Sequence, residues 1–261
     1  MKKTWSLSTT VRNPERILPF LQVLKEMEGE EFDENGQIKF QTLLIQSRLY
    51  QPTGLSNTLL AYYETSEDKM SYAQAQEIFG HMLSRSKVLH KDKGLRGRTS
   101  VDPLTKMGLA IAKKSYGKII ITDLGNAFLK NEVDIGDVYF KFFIKWQIPN
   151  PDSNDYTDDE IYNIKPFIGA LHLINRVNQM ELEKGKSPKG LSKEEFALFV
   201  PSLIHYKDIE SYANQIISLR VSLEGKNKQQ KRDIINKCEK KFAVNFLETD
   251  EETEIQKLLN N

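Results

Sequence analysis

Ten basic side chains stand between Arg85 and Lys118 (Arg85, Lys87, Lys91, Lys93, Arg96, Arg98, Lys106, Lys113, Lys114 and Lys118). Against them are only two acids, Asp92 and Asp102, a balance of +8 in 34 positions. Guanidinium and ammonium groups at this density suit charge-assisted hydrogen bonds to phosphate oxygens. The interleaved Gly94, Gly97, Thr99 and Ser100 would let the backbone approach a phosphate closely. Opposite in sign are Glu26 to Glu34, with six acids and no base, and the acidic stretch Glu248 to Glu254. The whole chain of 261 residues carries 37 basic and 36 acidic side chains, a formal charge of +1. A surface segregated in this way can hold a polyanion in one orientation while the chain stays neutral. Solvated helix faces of alternating sign are the alternative.

Covalent and metal chemistry leave weaker marks. The sequence has no GxxxxGK[ST] phosphate loop, no HExxH helix and no GxSxG elbow. One cysteine, Cys238, forms no internal disulfide, and His81, His90, His172 and His205 lack the spacing of metal ligands. Asp152 with Glu239-Lys240-Lys241 could be written as a metal-dependent nuclease motif. However, Asp152 falls in a linker-like stretch and Glu239 in a basic helix, without the apolar strands that usually present such ligands. No catalytic or metal-ligating residue is assigned. No window of ~18 uninterrupted apolar residues would span a membrane, and no apolar run follows the first residues as in a secretory signal. A reducing cytoplasm is the expected location.

The elements that must position the basic run are mainly helical. Asn13-Pro14 predicts a capped helix start, with Ile17, Leu18, Leu21, Leu24 and Met27 on one face and Gly29 as its end. A second helix is expected over Ile38 to Tyr50 and a third from Ser71. Leu109 to Ala112 and Lys118 to Thr122 read as two short strands around the turn at Tyr116-Gly117. A helix follows at Asp123. The aromatics of 139–146 read as core, with Phe140, Phe143 and Ile144 sharing a face. Pro149 to Asp159 reads as a linker. Beyond it come helices over Pro166 to Met180, from Ser192 (a capping box with Glu195), after Asp208, and over Lys226 to Val244. Lys184 to Gly190 is a basic loop.

Helix, basic turn, strand, Gly turn and strand, in that order, are the sequence form of a winged helix. Pro103 to Leu109 would end the recognition helix, with Gly108 as its C-cap. Lys91, Lys93, Arg96, Arg98, Thr99, Ser100 and Lys106 then become candidate contacts to double-stranded DNA. Lys113, Lys114 and Lys118 would grip phosphates from the wing. An ordinary α+β core with a basic loop stays open, as does a helix-turn-helix pivoting on Gln51 to Asn57. A second helix-turn-helix is expected over 191–214, with Lys207, Ser211 and Asn214 on the first turns of its second helix. Two packed helices are the alternative there. The expected fold is mainly α with small β wings, divided as 1–135, 136–165 and 166–261.

Several blocks resemble the recognition region of type IIS restriction endonucleases of the AlwI-like group, and of BpuJI-like enzymes. They are Trp5-Ser-Leu-Ser with Arg12-Asn-Pro-Glu-Arg-Ile17, and Leu21-x-x-Leu-x-x-Met-Glu-Gly29. Pro103-Leu-Thr-Lys-Met-Gly108, Ile121-Thr-Asp-Leu-Gly125 and Lys145-Trp-Gln-x-Pro149 follow, then Gly190-Leu-Ser-Lys193 and Phe196-Ala-Leu-Phe199. The resemblance implies two winged-helix subdomains joined by a helical linker, reading a short asymmetric site as a monomer. It also implies that the metal-dependent nuclease is a separate domain, so that no cofactor serves DNA binding and Mg²⁺ serves only the nuclease. On the same ground Lys2, Lys3, Thr4, Trp5 and Ser6 form a basic arm entering a groove, extended by Arg12 and Arg16. A disordered terminus is the alternative for the arm. From a different class, a winged-helix transcriptional regulator that dimerises through its carboxy-terminal helices remains open.

Overall fold

The computed structural model describes residues 2–6, 13–65, 68–150 and 156–259. The chain folds as two compact units, Leu7–Phe142 and Met1–Ser6 with Phe143–Asn261. It is mainly helical, with one two-stranded antiparallel sheet among the described residues. No described helix is long and apolar enough to cross a membrane.

In the Leu7–Phe142 unit, the Asn13 side chain accepts from the Glu15 N–H, and Pro14 opens a 3₁₀ turn that runs into α1 (Ile17–Lys25). Ile17, Phe20, Leu21 and Leu24 of α1 are fully buried. α2 (Glu34–Gln46) begins four residues before the periodicity predicts, because Asp33 caps it by accepting from the Gly36 N–H at 2.9 Å. α3 (Asn57–Ala61), α4 (Tyr72–Arg85) and α5 (Lys87–Lys91) follow. The Gln51 to Asn57 segment thus leads from α2 into a five-residue helix. A capping box of Ser71 and Gln74 starts α4 where the sequence predicts. α6 (Leu95–Lys106) then packs on α2 and α1.

Gly108, at φ +75°, turns the chain out of α6 into β1 (Ala110–Ile111), which pairs with β2 (Ile120–Ile121). The segment before α2 adds a third edge to this hairpin. Gly29 N–H donates to Ile119 O at 2.9 Å, Ile119 N–H to Glu30 O at 2.8 Å, and Phe32 N–H to Gly117 O at 2.9 Å. α7 (Asp123–Leu129), capped by Thr122, and the first part of α8 (Ile135–Lys145) complete this core. The division between the units falls at Phe143, within α8. In α8 it is Val138 that is buried, with Tyr139 and Phe142 packed beside it, whereas Phe140 is 57% exposed. Of the predicted face, Phe140 is the exception, since Phe143 is half-buried and stacks on Phe167 at 5.6 Å, and Ile144 is half-buried too.

The second unit is built on α9 (Pro166–Glu183), α10 (Lys193–Phe199), α11 (Ile209–Leu223), α12 (Lys228–Leu247) and α13 (Glu252–Leu259). α9 and α11 pack along their length around Leu173, Val177, Ala213 and Ile216, all but Ala213 branched and all fully buried. The predicted capping box of Ser192 and Glu195 starts α10. Of the predicted linker, Pro149 to Asp159, residues 151–155 lie outside the described residues.

Residues 2–6 pack in this second unit. Trp5 N–H donates to Pro201 O at 2.9 Å, and its ring meets Trp146 edge-on at 5.4 Å. Lys3 N–H donates to the Tyr162 hydroxyl, Tyr156 Oη donates to Thr4 O, and Lys2 pairs with Glu248. The sequence-based division grouped 1–135 together. The observed grouping differs because the indole and backbone of this segment find their partners beyond residue 143.

Candidate nucleic-acid interface

On α6 the sequence alternates burial at helical spacing. Gly97, Ser100, Val101 and Leu104 face the core, Leu95 packs beside the α3–α5 cluster, and Arg98, Thr99, Asp102, Thr105 and Lys106 form a stripe on the other side. Gly97 permits the closest approach: a Cβ there would lie 2.1 Å from Gln37 O of α2. A Cβ at Gly94 would meet Gln37 Oε1 at 2.2 Å. The glycines of the basic run therefore serve helix packing rather than phosphate approach. Ser100, fully buried, donates through its hydroxyl to Gln41 Oε1 at 3.3 Å. It belongs to the α2–α6 seam and drops out as a DNA contact.

The cations of the stripe are paired with acids. Arg98 Nη2 and Nη1 reach the two carboxylate oxygens of Asp92 at 2.5 and 3.1 Å, and Nη1 also donates to Gln37 Oε1 at 2.8 Å. Hydrogen bonding from this guanidinium holds the Asp92 carboxyl below its ordinary range. Lys106 pairs with Asp102 one turn back at 2.7 Å. Thr99 and Thr105 hydroxyls return to the carbonyls of Arg96 and Asp102. Arg96 is half-buried, and its Nε is buried without a hydrogen-bond partner. Lys91 and Lys93 are exposed at the end of α5 and in the turn before α6.

The hairpin beyond α6 carries Lys113, Lys114 and Lys118, all exposed, around a 3₁₀ turn and Gly117 at φ +74°. Tyr116 at the tip is 66% exposed. Arg16, also predicted, instead donates from Nη2 to Leu49 O at 3.2 Å. Arg12 lies outside the described residues. Asp102 and Thr105 were missed by sequence reasoning, although their spacing from Arg98, four and seven residues, marks them as stripe members.

The second unit holds the remaining predicted residues. Ser211 and Asn214 are exposed on α11, the latter donating to Glu210 O at 2.9 Å. Lys207 and Lys2 come together at a cleft of about 430 Å³, beside His205, Gln215 and Asn245. Lys3 and Ser6 are exposed, while Trp5 is tied into the packing described above. A free arm is thus not what residues 2–6 form.

A divalent ion that activates water needs several converging carboxylate or imidazole donors. Among the described residues no group of three His, Cys, Asp or Glu side chains converges on one point. Asp152 lies outside the described residues, Glu239 is half-buried with its carboxyl raised by desolvation, and Lys240 pairs with Glu252 at 2.8 Å. In comparison with known proteins, residues 105–259 match the family described as AlwI restriction endonuclease. No curated protein matches the chain.

Proposed function

The chain belongs to the AlwI restriction endonuclease family, and from that premise we propose that the described residues are its DNA-reading part. Such an enzyme takes DNA as substrate and acts at a specific sequence. The reading assigns a short asymmetric double-stranded site, read by a single copy, since a symmetric dimer would read a palindrome. It places the exposed stripe of α6 in the major groove as the recognition helix of a winged helix, with the 110–121 hairpin as the wing. α10 and α11 serve as a second helix-turn-helix, presenting Lys207, Ser211 and Asn214. Cleavage, as in a type IIS arrangement, is left to a metal-dependent centre outside the described residues.

One observation carries this reading. α1, the extended segment 29–32, α2, α6 and the hairpin share one core, closed where residues 29–32 pair with the hairpin at 117–119, with α3, α4 and α5 inserted between α2 and α6. α6 runs directly into that hairpin, so one unit presents both a polar helical stripe and a basic wing. Arg98 is the candidate reader, because its fork matches guanine O6 and N7. Its bidentate hold on Asp92 keeps that fork extended, and DNA would exchange one set of acceptors for another.

The test separates reading from gripping. On a selected site, Arg98→Ala should cost ~1–3 kcal/mol and relax preference at one base pair. Lys113→Gln, Lys114→Gln and Lys118→Gln should weaken every duplex alike and each lower the salt slope by about one counterion. Wing variants that change base preference, with Arg98→Ala changing only the salt slope, would overturn the orientation. Equal affinity for all duplexes at ~150 mM salt would overturn specific reading altogether.

A further inference from the structure

A second basic surface lies on the Phe143–Asn261 unit, made of residues not assigned above. Two stretches without an acidic residue make it: 184–193, with four lysines, and 225–232, with three lysines and one arginine. All eight side chains are exposed. The stretches are distant in sequence, and Glu224, at the end of α11, joins them. Its carboxylate pairs with Lys186 and is held below its ordinary range by that lysine, with Lys184 and Lys189 adding to the field. The 184–190 loop therefore stands beside the α11–α12 turn, and Glu224 between them is already paired.

The loop is also held in shape. Lys186 N–H donates to Glu181 O at 2.9 Å, and Gly190 N–H to Asn178 Oδ1 at 2.9 Å. Arg220, whose side chain is 17% exposed, donates to Gly190 O while gripping Glu195 at 2.8 Å and Glu181 at 3.4 Å. Gly185 and Gly190 take φ of +69° and +66°, the left-handed turns that let the loop leave α9 and enter α10. A glycine- and lysine-rich loop left to itself would repel itself and spread. Here a half-buried guanidinium fixes its end, so that the ammonium groups are presented as a set.

We propose that Lys184, Lys186 and Lys189, with Lys226, Lys228 and Lys231, form a sequence-independent clamp for the phosphate backbone of duplex DNA. The proposal rests on the DNA-reading function argued above. Phosphates repeat along a strand, and two short rows of cations side by side match that repetition without needing base contacts. The flexible ammonium, a point charge, suits this role better than a rigid fork would.

The experiment uses the full chain and duplexes of randomised sequence, with affinity followed by fluorescence anisotropy between 50 and 200 mM KCl. The triple variant Lys184→Gln/Lys186→Gln/Lys189→Gln should lower the salt slope by about 2.7, from ~0.9 per phosphate contact. Wild-type advantage should then grow about 40-fold as salt falls from 200 to 50 mM. Lys226→Gln/Lys228→Gln/Lys231→Gln should behave in the same way, and the corresponding Lys→Arg triples should keep the wild-type slope. An unchanged slope in both Gln triples, while the wing variants lose theirs, would overturn the clamp and leave the reading of DNA intact. Loss of slope in the Arg triples would also overturn it, because charge would not be the cause. Wild-type chain that ignores duplex DNA while binding polyglutamate would overturn both readings, in favour of an acidic protein partner.

Discussion

Gly97→Ala sets two effects of known size against each other. In an unhindered helix, Gly→Ala stabilises by about 1 kcal/mol, since alanine loses less backbone entropy. At Gly97 the new methyl would lie 2.1 Å from Gln37 O, 2.7 Å from its carbonyl carbon and 3.0 Å from its Cα. All three are backbone atoms, so no side chain can swing aside. Restoring an ordinary 3.4 Å contact requires α2 and α6 to part by about 1.3 Å at this point. That shift strains the Ser100–Gln41 and Arg98–Gln37 hydrogen bonds, which cross the same seam. Overpacking of this kind costs ~1–3 kcal/mol, so the net expectation is a destabilisation of ~0–2 kcal/mol after the propensity gain, against the ~1 kcal/mol stabilisation of an unhindered site. Gly80→Ala, on α4 of the same unit and with nothing within 4 Å of its Cβ, provides the internal control. It should stabilise by about 1 kcal/mol. Urea denaturation followed by circular dichroism measures both variants on one transition. If Gly97→Ala stabilises as much as Gly80→Ala, the close crossing of α2 and α6 is wrong, and with it the presentation of the α6 stripe.

Three further outcomes are expected. Arg220→Ala should destabilise the second unit by ~3–5 kcal/mol, because it leaves Glu181 and Glu195 buried without their cation; a loss under ~1 kcal/mol in denaturant would show that the network is not coupled. Burial raises the Tyr63 phenol to about 12, and Tyr212 shifts in the same direction for the same first reason. A raised folded-state pKa gives stability that is complete below the unfolded value near 10 and lost as pH climbs toward 12; phenolate absorbance should therefore lag for these two tyrosines until unfolding, and a single titration of all ten near 10 would contradict their burial. Asp92→Asn should release Arg98 from its strongest partner and raise affinity for any duplex at low salt, and an unchanged affinity would mean that Arg98 stays out of reach of DNA.

Helix starts were the most legible part of the fold, because a cap is a local event. Asn13, Ser71, Thr122 and Ser192 each accept the backbone hydrogen bond that their residue type suggests. Asp33 does the same for α2, but the following Glu-Asn-Gly-Gln carries no apolar periodicity, so the start was placed at Ile38. Gly36 sits within that first turn because a Cβ would meet Glu31 O at 2.1 Å, a contact with the chain before the helix. What was not legible depends on distant partners. Nothing near Glu31 announces Lys118, and nothing near Trp5 announces Trp146 or Pro201. At the candidate interface, the charge run gave the region and the residue types, but not their orientation. Ser100 and the glycines belong to a helix crossing, while Asp102 and Thr105 share the exposed stripe.

The grouping of residues 2–6 with the unit that begins at Phe143 has a consequence for how the chain is made. On the ribosome residues 2–6 emerge ahead of both units, yet the partners of Trp5, Trp146 and Pro201, follow some 140 to 200 positions later. At ~5–20 residues per second, Trp5 waits roughly 10–40 s before Pro201 leaves the peptidyl-transferase centre. For the last part of that interval, roughly 3–12 s, the Leu7–Phe142 unit has all of its own sequence and can fold, whereas the indole ahead of it still lacks Pro201. A bulky fusion partner placed before Met1 would hinder the last closure rather than the first, and its effect would register in the stability of a unit that begins more than a hundred residues downstream.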